Sequence, residues 1–335
     1  MDLLELQNIC IKFGESKYRG DQLFEWMYRH GISSFNLMKN INKTLRLYLE
    51  ENYILNTLEL DILNSSEHDN STKMLFKTDD GEFIETVSMI DKGRHTACIS
   101  SQVGCALNCS FCATGEMGLK RNLRTGEIID QLIYIRKNID KPITNVVFMG
   151  MGEPFHNYDN VIKAANIFHS HKGFNLGYSR ITISTAGMLP QIKRFINENQ
   201  KYKLAISLNA VNNEVRNNIM PINKKWNIKD IIQVGKKYSN QKKRLVMFEY
   251  VLLKGINDSK KDAIHLSQLL SGIPCKINLI PYNETDGKFQ RPEENTITQF
   301  AKILQKNKNE YLVLVRWSKG QDINAGCGQL AGNAL

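Results

Sequence analysis

The period of apolar positions changes twice along this chain. Up to about residue 55 it is helical: in Gly20–His30 the residues Leu23, Phe24, Met27 and Tyr28 share one face, and a second helix is predicted near Thr44 to Asn52. From about 58 to 90 the pattern becomes that of strands. Met74–Lys77, the turn Asp79-Asp80-Gly81 and Phe83–Met89 together read as a hairpin. From Ala97 onward short apolar strands alternate with amphipathic helices. Strands are predicted at Ala97–Ser101, Thr144–Met149, Arg180–Ser184, Leu204–Ser207, Leu245–Leu253, Ile277–Ile280 and Tyr311–Arg316. Helices are predicted between them at Thr125–Asn138, Asp159–His169, Leu189–Asn197, Ile228–Tyr238, Ser259–Leu270 and Thr296–Lys306. Such alternation implies right-handed βαβ units and a parallel sheet, so the fold class is α/β. The chain divides into a helical accessory domain over 1–55, a β-hairpin connection over 56–90 and a core over 91–335.

In parallel α/β folds the active site gathers at the C-terminal ends of the strands. The unusual residues of this chain fall there repeatedly. A cysteine loop follows the first core strand, Met149-Gly-Met-Gly-Glu-Pro154 the second and Ser184-Thr-Ala-Gly187 the third. Ser207-Leu-Asn209, Pro281-Tyr-Asn283 and the segment containing Cys327 follow later strands, so one mouth is expected to hold cofactor and substrate.

The cysteine loop is the most specific feature. Cys105, Cys109 and Cys112 stand in the run Cys-Ala-Leu-Asn-Cys-Ser-Phe-Cys. A four-iron cluster has four positions to fill, and three thiolates leave one iron open to a substrate. Structural zinc loops instead pair C-x2-C with a second ligand pair, and the chain has no second cysteine pair of that spacing. The C-x3-C-x2-C spacing with Phe111 before the last cysteine resembles radical S-adenosylmethionine (SAM) enzymes, whose open iron chelates SAM. That resemblance implies a partial (β/α)6-type barrel. It also implies that Gly152 and Glu153 meet the methionine part of SAM, Glu153 facing its ammonium. Ser184, Ser207, Leu208, Asn209 and Asn283 are the further candidates for the ribose or methionyl end.

Composition narrows the setting. The 335 residues carry 42% hydrophobic positions and a formal charge of +10, from 44 Lys and Arg against 34 Asp and Glu. That excess, with clusters such as Lys224-Lys225, Lys236-Lys237 and Lys242-Lys243-Arg244, suits a polyanion, although a lysine-rich bias on solvated faces would look alike. No apolar run approaches the roughly 20 residues of a membrane span, and the N-terminus lacks signal-peptide character. A cytoplasmic protein with reduced thiols is expected, its seven cysteines reflecting metal or redox chemistry.

Longer motifs sharpen the resemblance. Cys98-Ile-Ser-Ser-Gln-Val-Gly-Cys105 running on to Gly115, Arg121-Asn-Leu, Met149–Pro154, Met220-Pro-Ile-Asn223, Asn278–Asn283 and Cys327-Gly-Gln-Leu330 are similar to the radical SAM RNA methyltransferases containing RlmN and Cfr. The similarity runs from about Arg19 to Leu330, and Pro154 points to the RlmN branch. Asn209, where the family often has His, is a departure, as is Asp322-Ile-Asn-Ala-Gly-Cys327. The resemblance implies methylation of C2 of an adenine in 23S rRNA, with tRNA as a second substrate. The Cfr-like alternative is C8 methylation of 23S rRNA with antibiotic resistance. A third reading, an RNA-binding protein stabilised by metal and without catalysis, is the rival from another class.

Adenine C2 has no lone pair with which to attack a sulfonium methyl, whereas a thiolate has. The resemblance gives Cys327 the role of methyl carrier, Cys98 that of the resolving thiol and Glu85 that of proton acceptor. It implies a 4Fe–4S cluster, two SAM per turnover, a transient Cys98–Cys327 disulfide and an electron donor such as flavodoxin or ferredoxin. A monomer is expected. Without the resemblance, Cys98 would read as a buried apolar residue, Glu85 as a solvent-facing hairpin position, and Cys10 and Cys275 as core thiols.

Overall fold

The computed structural model describes residues 1–285, 288–306 and 311–332. The side chain of Lys242, in one of the basic clusters, lies outside the described residues. Helix α1 (Leu3–Lys12) begins at a capping box in which Asp2 accepts the Glu5 amide at 2.9 Å and Glu5 the Asp2 amide at 2.6 Å. Helix α2 (Lys17–Phe24) passes into one π-helical turn, Glu25–His30, so the helix predicted over 20–30 changes its winding half-way. Gly31, at φ +61°, stops it. Helix α3 (Lys43–Asn52) starts at Asn42, whose side chain accepts the Leu45 amide.

Three strands then form an antiparallel meander: β1 (Leu58–Ser65), β2 (Asn70–Thr78) and β3 (Phe83–Asp91). Strand β4 (Arg94–Cys98) is the junction, antiparallel to β3 on one edge and parallel to the next core strand on the other. It starts three residues before the predicted Ala97 and ends at Cys98 rather than Ser101. The cysteine loop does not follow it directly. Strand β5 (Gln102–Gly104) comes first, and after the loop come α4 (Ala113–Glu116) and β6 (Leu119–Asn122), which pairs back on β5. Gln102-Val-Gly104 and Leu119-Lys-Arg-Asn122 each carry a single apolar residue, so neither forms an apolar run that the pattern could show.

The rest alternates as predicted, with one added helix: α5 (Thr125–Asn138), β7 (Asn145–Phe148), α6 (Tyr158–His169), β8 (Ile181–Thr185), α7 (Leu189–Asn197), β9 (Lys203–Ser207), α8 (Asn213–Ile219, not foreseen), α9 (Ile228–Lys242), β10 (Val246–Leu252), α10 (Lys260–Leu270), β11 (Cys275–Pro281), α11 (Glu294–Gln305) and β12 (Tyr311–Val315). The large sheet runs β1-β2-β3-β4-β7-β8-β9-β10-β11-β12, with β1 and β12 as its ends. From β4 onward neighbouring strands are parallel. Phe148, Ser184, Ser207, Glu249 and Ile280, from β7 to β11 in turn, line one cavity. Successive strands of a flat sheet cannot surround a single space, so the parallel strands curve into an open, partial barrel.

The N-terminal helices pack on the outer helical layer. Leu6, Leu23, Phe24 and Met27 belong to the same buried cluster as Ile129, Ile133 and Phe168, each worth about 1.5–3 kcal/mol when fully buried. Arg136 of α5 donates to the Tyr28 and Arg29 carbonyls at 2.9 and 3.0 Å. Lys163 of α6 reaches Glu5 at 2.6 Å, and Lys172 reaches Asp21 at 2.5 Å. Among the described residues no helix is long and apolar enough to cross a membrane.

Candidate active site

The β5–β6 ribbon fixes both ends of the cysteine loop. The Cys105 amide donates to the Gly118 carbonyl at 2.9 Å, and a Cβ on Gly104 would lie only 1.8 Å from that same oxygen. Gly104 therefore has to be glycine, at φ +71°. Further along, the Cys112 amide donates to the Cys109 carbonyl at 3.1 Å, and α4 turns away immediately after. Burial pushes the Cys105 thiol up to about 12 and raises Cys109 and Cys112 as well, each thiolate being further opposed by another of the set or by Cys327. Among the described residues no group of three or more His, Cys, Asp or Glu side chains closes around one ion. The three thiols instead line the wall of a cavity of about 160 Å³.

Gly152 and Glu153 face that cavity from the loop after β7. Gly152, at φ +94°, has no room for a Cβ because Gln102 would be 2.5 Å away. The Glu153 carboxylate accepts the Phe155 amide at 3.0 Å and the Ala186 amide at 2.7 Å. Burial pushes its pKa up to about 7 in spite of these donors, so an arriving ammonium would restore the charged form. Ser184 and Ser207 line the same space.

Other predicted positions stand differently. Asn209 faces the cavity at φ +56°, but its side-chain oxygen takes the Val251 amide at 2.9 Å and its carbonyl the Asn257 amide group at 2.7 Å. Leu208, between the lining residues Ser207 and Asn209, is itself fully buried and not part of the lining, and its carbonyl accepts Arg216 at 2.9 Å. Asn283 is also outside the cavity lining; its amide donates to the Cys327 carbonyl at 3.0 Å and so holds the C-terminal loop.

Cys98 and Cys327, far apart in sequence, line a second cavity of about 150 Å³. Cys327 borders both spaces, as do Cys112, Met149 and Gly328. Burial pushes the Cys98 thiol up to about 12; the nearby Cys327 raises it further and Arg316 opposes the shift. Although Cys327 is an exposed residue, desolvation at its thiol raises that pKa too. Glu85 is neither solvent-facing nor in either cavity. It pairs with Lys73 of β2 at 2.9 Å, and its other oxygen accepts the Ala331 and Gly332 amides at 2.7 and 3.0 Å. The C-terminal tail thus covers it, strapped down also by Ala113 to the Gly328 carbonyl and Thr114 to the Leu330 carbonyl.

Sequence reasoning missed Glu249 and Arg316. Glu249 of β10 lines the cysteine cavity, with one oxygen bonded to Asn278 at 2.8 Å and the other buried without a hydrogen-bond partner, 3.9 Å from Arg316. Burial raises its pKa. The one available signal was a glutamate inside the apolar run Val246–Leu252. Three thiols, the buried Glu153 carboxylate and the unsatisfied Glu249 oxygen in one cavity lining fit a thiolate-held cluster with a cationic, polar ligand beside it.

Comparison with known proteins agrees with this geometry. Residues 99–266 match the radical SAM superfamily, and residues 1–55 match the ribosomal RNA large subunit methyltransferase N-terminal domain. A probable dual-specificity RNA methyltransferase RlmN of Dictyoglomus turgidum is 44% identical over 98% of this chain and 94% of its own length. The chain belongs to the RlmN family of radical SAM enzymes. A dual-specificity RNA methyltransferase RlmN of Geobacter sulfurreducens is 43% identical over 98% of this chain and 90% of its own. The crystal structure of a radical SAM methyltransferase from Sphaerobacter thermophilus superposes with a TM-score of 0.95 at 40% identity, covering 99% of this chain and 98% of that one. Family membership brings a 4Fe–4S cluster and SAM as cofactors.

Proposed function

We propose that this RlmN-family chain methylates C2 of a specific adenine in 23S rRNA, and also in tRNA, through a methyl group carried on Cys327. The observation that carries the reading is the position of Cys327 between two adjoining cavities, one walled by the three loop cysteines and the other by Cys98. The family comparisons favour it over the Cfr-like C8 reading, the relatives being named RlmN and dual-specificity. They equally disfavour a non-catalytic RNA-binding protein.

In this reading Cys105, Cys109 and Cys112 hold the cluster, and Glu153 holds the ammonium of SAM while Ser184 and Ser207 meet its ribose. When bound, the cluster and SAM supply the methyl group and the radical that activates it. Cys327 loses its proton, takes the methyl as a thioether and later bonds to the ring through that carbon. Glu85 takes the ring proton, which requires Ala331 and Gly332 to leave its carboxylate. The Cys98 thiolate then attacks the Cys327 sulfur. The sulfur–carbon bond breaks with its electron pair on the carbon, which takes up a proton to become the methyl of the released base, and the disulfide left behind is reduced by a cellular thiol. Asn283 keeps the Cys327 loop in register. Residues 1–55 act as an accessory RNA-binding layer, residues 56–90 as the connection and residues 91–335 as the catalytic core. A monomer in the cytoplasm, reduced by a flavodoxin or ferredoxin, completes the proposal. Nucleoside mass spectrometry of rRNA and tRNA from cells with and without the protein tests it. Loss of 2-methyladenine is expected; loss of 8-methyladenine instead would overturn the C2 assignment.

A further inference from the structure

The segment that follows β12, Arg316-Trp317-Ser318-Lys319, forms one wall of the cavity that Cys98 and Cys327 share. Trp317 is 46% exposed, an unusual state for an indole beside a catalytic space. Neither a cluster ligand nor a thiol step requires it there. The Arg291 guanidinium sits 5.6 Å from the Trp317 ring centroid. Arg316 reaches inward towards Glu249, and Lys319 pairs with Asp91 at 3.6 Å on the rim. An aromatic face backed by cations is the arrangement that takes an unstacked nucleobase and its phosphate. An adenine drawn into the cavity for chemistry must be pulled from its stack, and its neighbour then needs a new surface.

Resting on the RNA-adenine reading above, we propose that Trp317 is the stacking platform for the nucleotide adjoining the target adenine, with Arg291 and Lys319 placed for that nucleotide's phosphates. The target adenine lies deeper, between Cys98 and Cys327. Trp317 thereby fixes which base enters and leaves the chemistry to the thiols.

The test is binding of an RNA hairpin with an unpaired loop adenine to the cluster-loaded protein, in wild type, Trp317→Ala and Trp317→Phe. Trp317→Ala should weaken binding about tenfold and Trp317→Phe much less, since another aromatic ring still stacks. The decisive arm uses hairpins made abasic at the 5′ or the 3′ neighbour of the adenine. One of the two should bind wild type about tenfold more weakly yet bind Trp317→Ala no worse than the intact hairpin does. A merely structural tryptophan would give losses that add at both neighbours. Additive losses, or intact binding by Trp317→Ala, would overturn the proposal. Binding is read without turnover, so failure here is distinct from failure of the methylation reading, which nucleoside analysis decides.

Discussion

Two seams in this molecule are closed by the same device, a buried carboxylate accepting backbone N–H groups, yet they are built for opposite purposes. Where the N-terminal layer meets the barrel, Asp130 of α5 accepts the Thr57 amide and hydroxyl at 2.5 and 2.7 Å. Met27, Tyr28, Ile32, Ile129 and Ile133 are buried along the same seam, where they line a cavity of about 230 Å³. At the mouth, Glu85 accepts the amides of Ala331 and Gly332, but the described tail from Gly326 carries just one large apolar side chain, Leu330. Hydrogen bonds exchange with water at little net cost, whereas apolar area does not. The first seam is therefore permanent and the second can open, which Glu85 requires if it is to meet RNA.

The largest effect should come from breaking the mouth-side ion pair. Lys73 and Glu85 are both almost wholly buried, so Lys73→Met should cost about 3–5 kcal/mol in denaturant unfolding by stranding the carboxylate. Adding Glu85→Gln should recover most of that loss. A neutral Lys73→Met would mean that the pair is not closed off from water.

The permanent seam has a pH signature. Burial, opposed by the Thr57 bonds, pushes the Asp130 carboxyl up to about 6 from its ordinary 3.8. The folded state thus holds the proton more tightly than the unfolded chain. Stability from the protonated form is full below about pH 4 and is lost as pH rises to about 6, a change of about 3 kcal/mol. Asp130→Asn should flatten that part of the stability profile of the apoprotein. An unchanged slope would place the charge in solvent.

The smallest effect sharpens what Asn283 does. Losing its bond to the Cys327 carbonyl should lower turnover about tenfold in Asn283→Ala while SAM affinity stays within about twofold. A fall in SAM affinity instead would return Asn283 to the cofactor-binding role that the sequence alone suggested.

Which features were legible follows from the same physics. The α/β alternation could be read because helices and strands long enough to bury a face repeat their period, and Cys105, Cys109 and Cys112 could be read because ligand spacing within a loop is local. The β5–β6 ribbon was hidden because each of its strands carries a single apolar residue, Val103 in one and Leu119 in the other. Glu249 and Arg316 were hidden because each gains its meaning from a partner brought near only by folding. Glu85 could be matched by motif, but neither its pairing with Lys73 nor its cover by the tail could be. Leu208 and Asn283 stand inside the motifs, but that the Leu208 side chain is buried in the core and the Asn283 side chain bonds the Cys327 carbonyl is set by the fold and not by the spacing.

The central claim is the division of labour between the two thiols that share a cavity. Express Cys98→Ala and Cys327→Ala in parallel and look on denaturing gels for RNase-sensitive, slow-migrating protein. A covalent RNA adduct is expected in Cys98→Ala, which can join the ring but cannot let go, and none in Cys327→Ala, which has no carrier. An adduct in Cys327→Ala, or none in Cys98→Ala with its cluster and SAM binding intact, would contradict it.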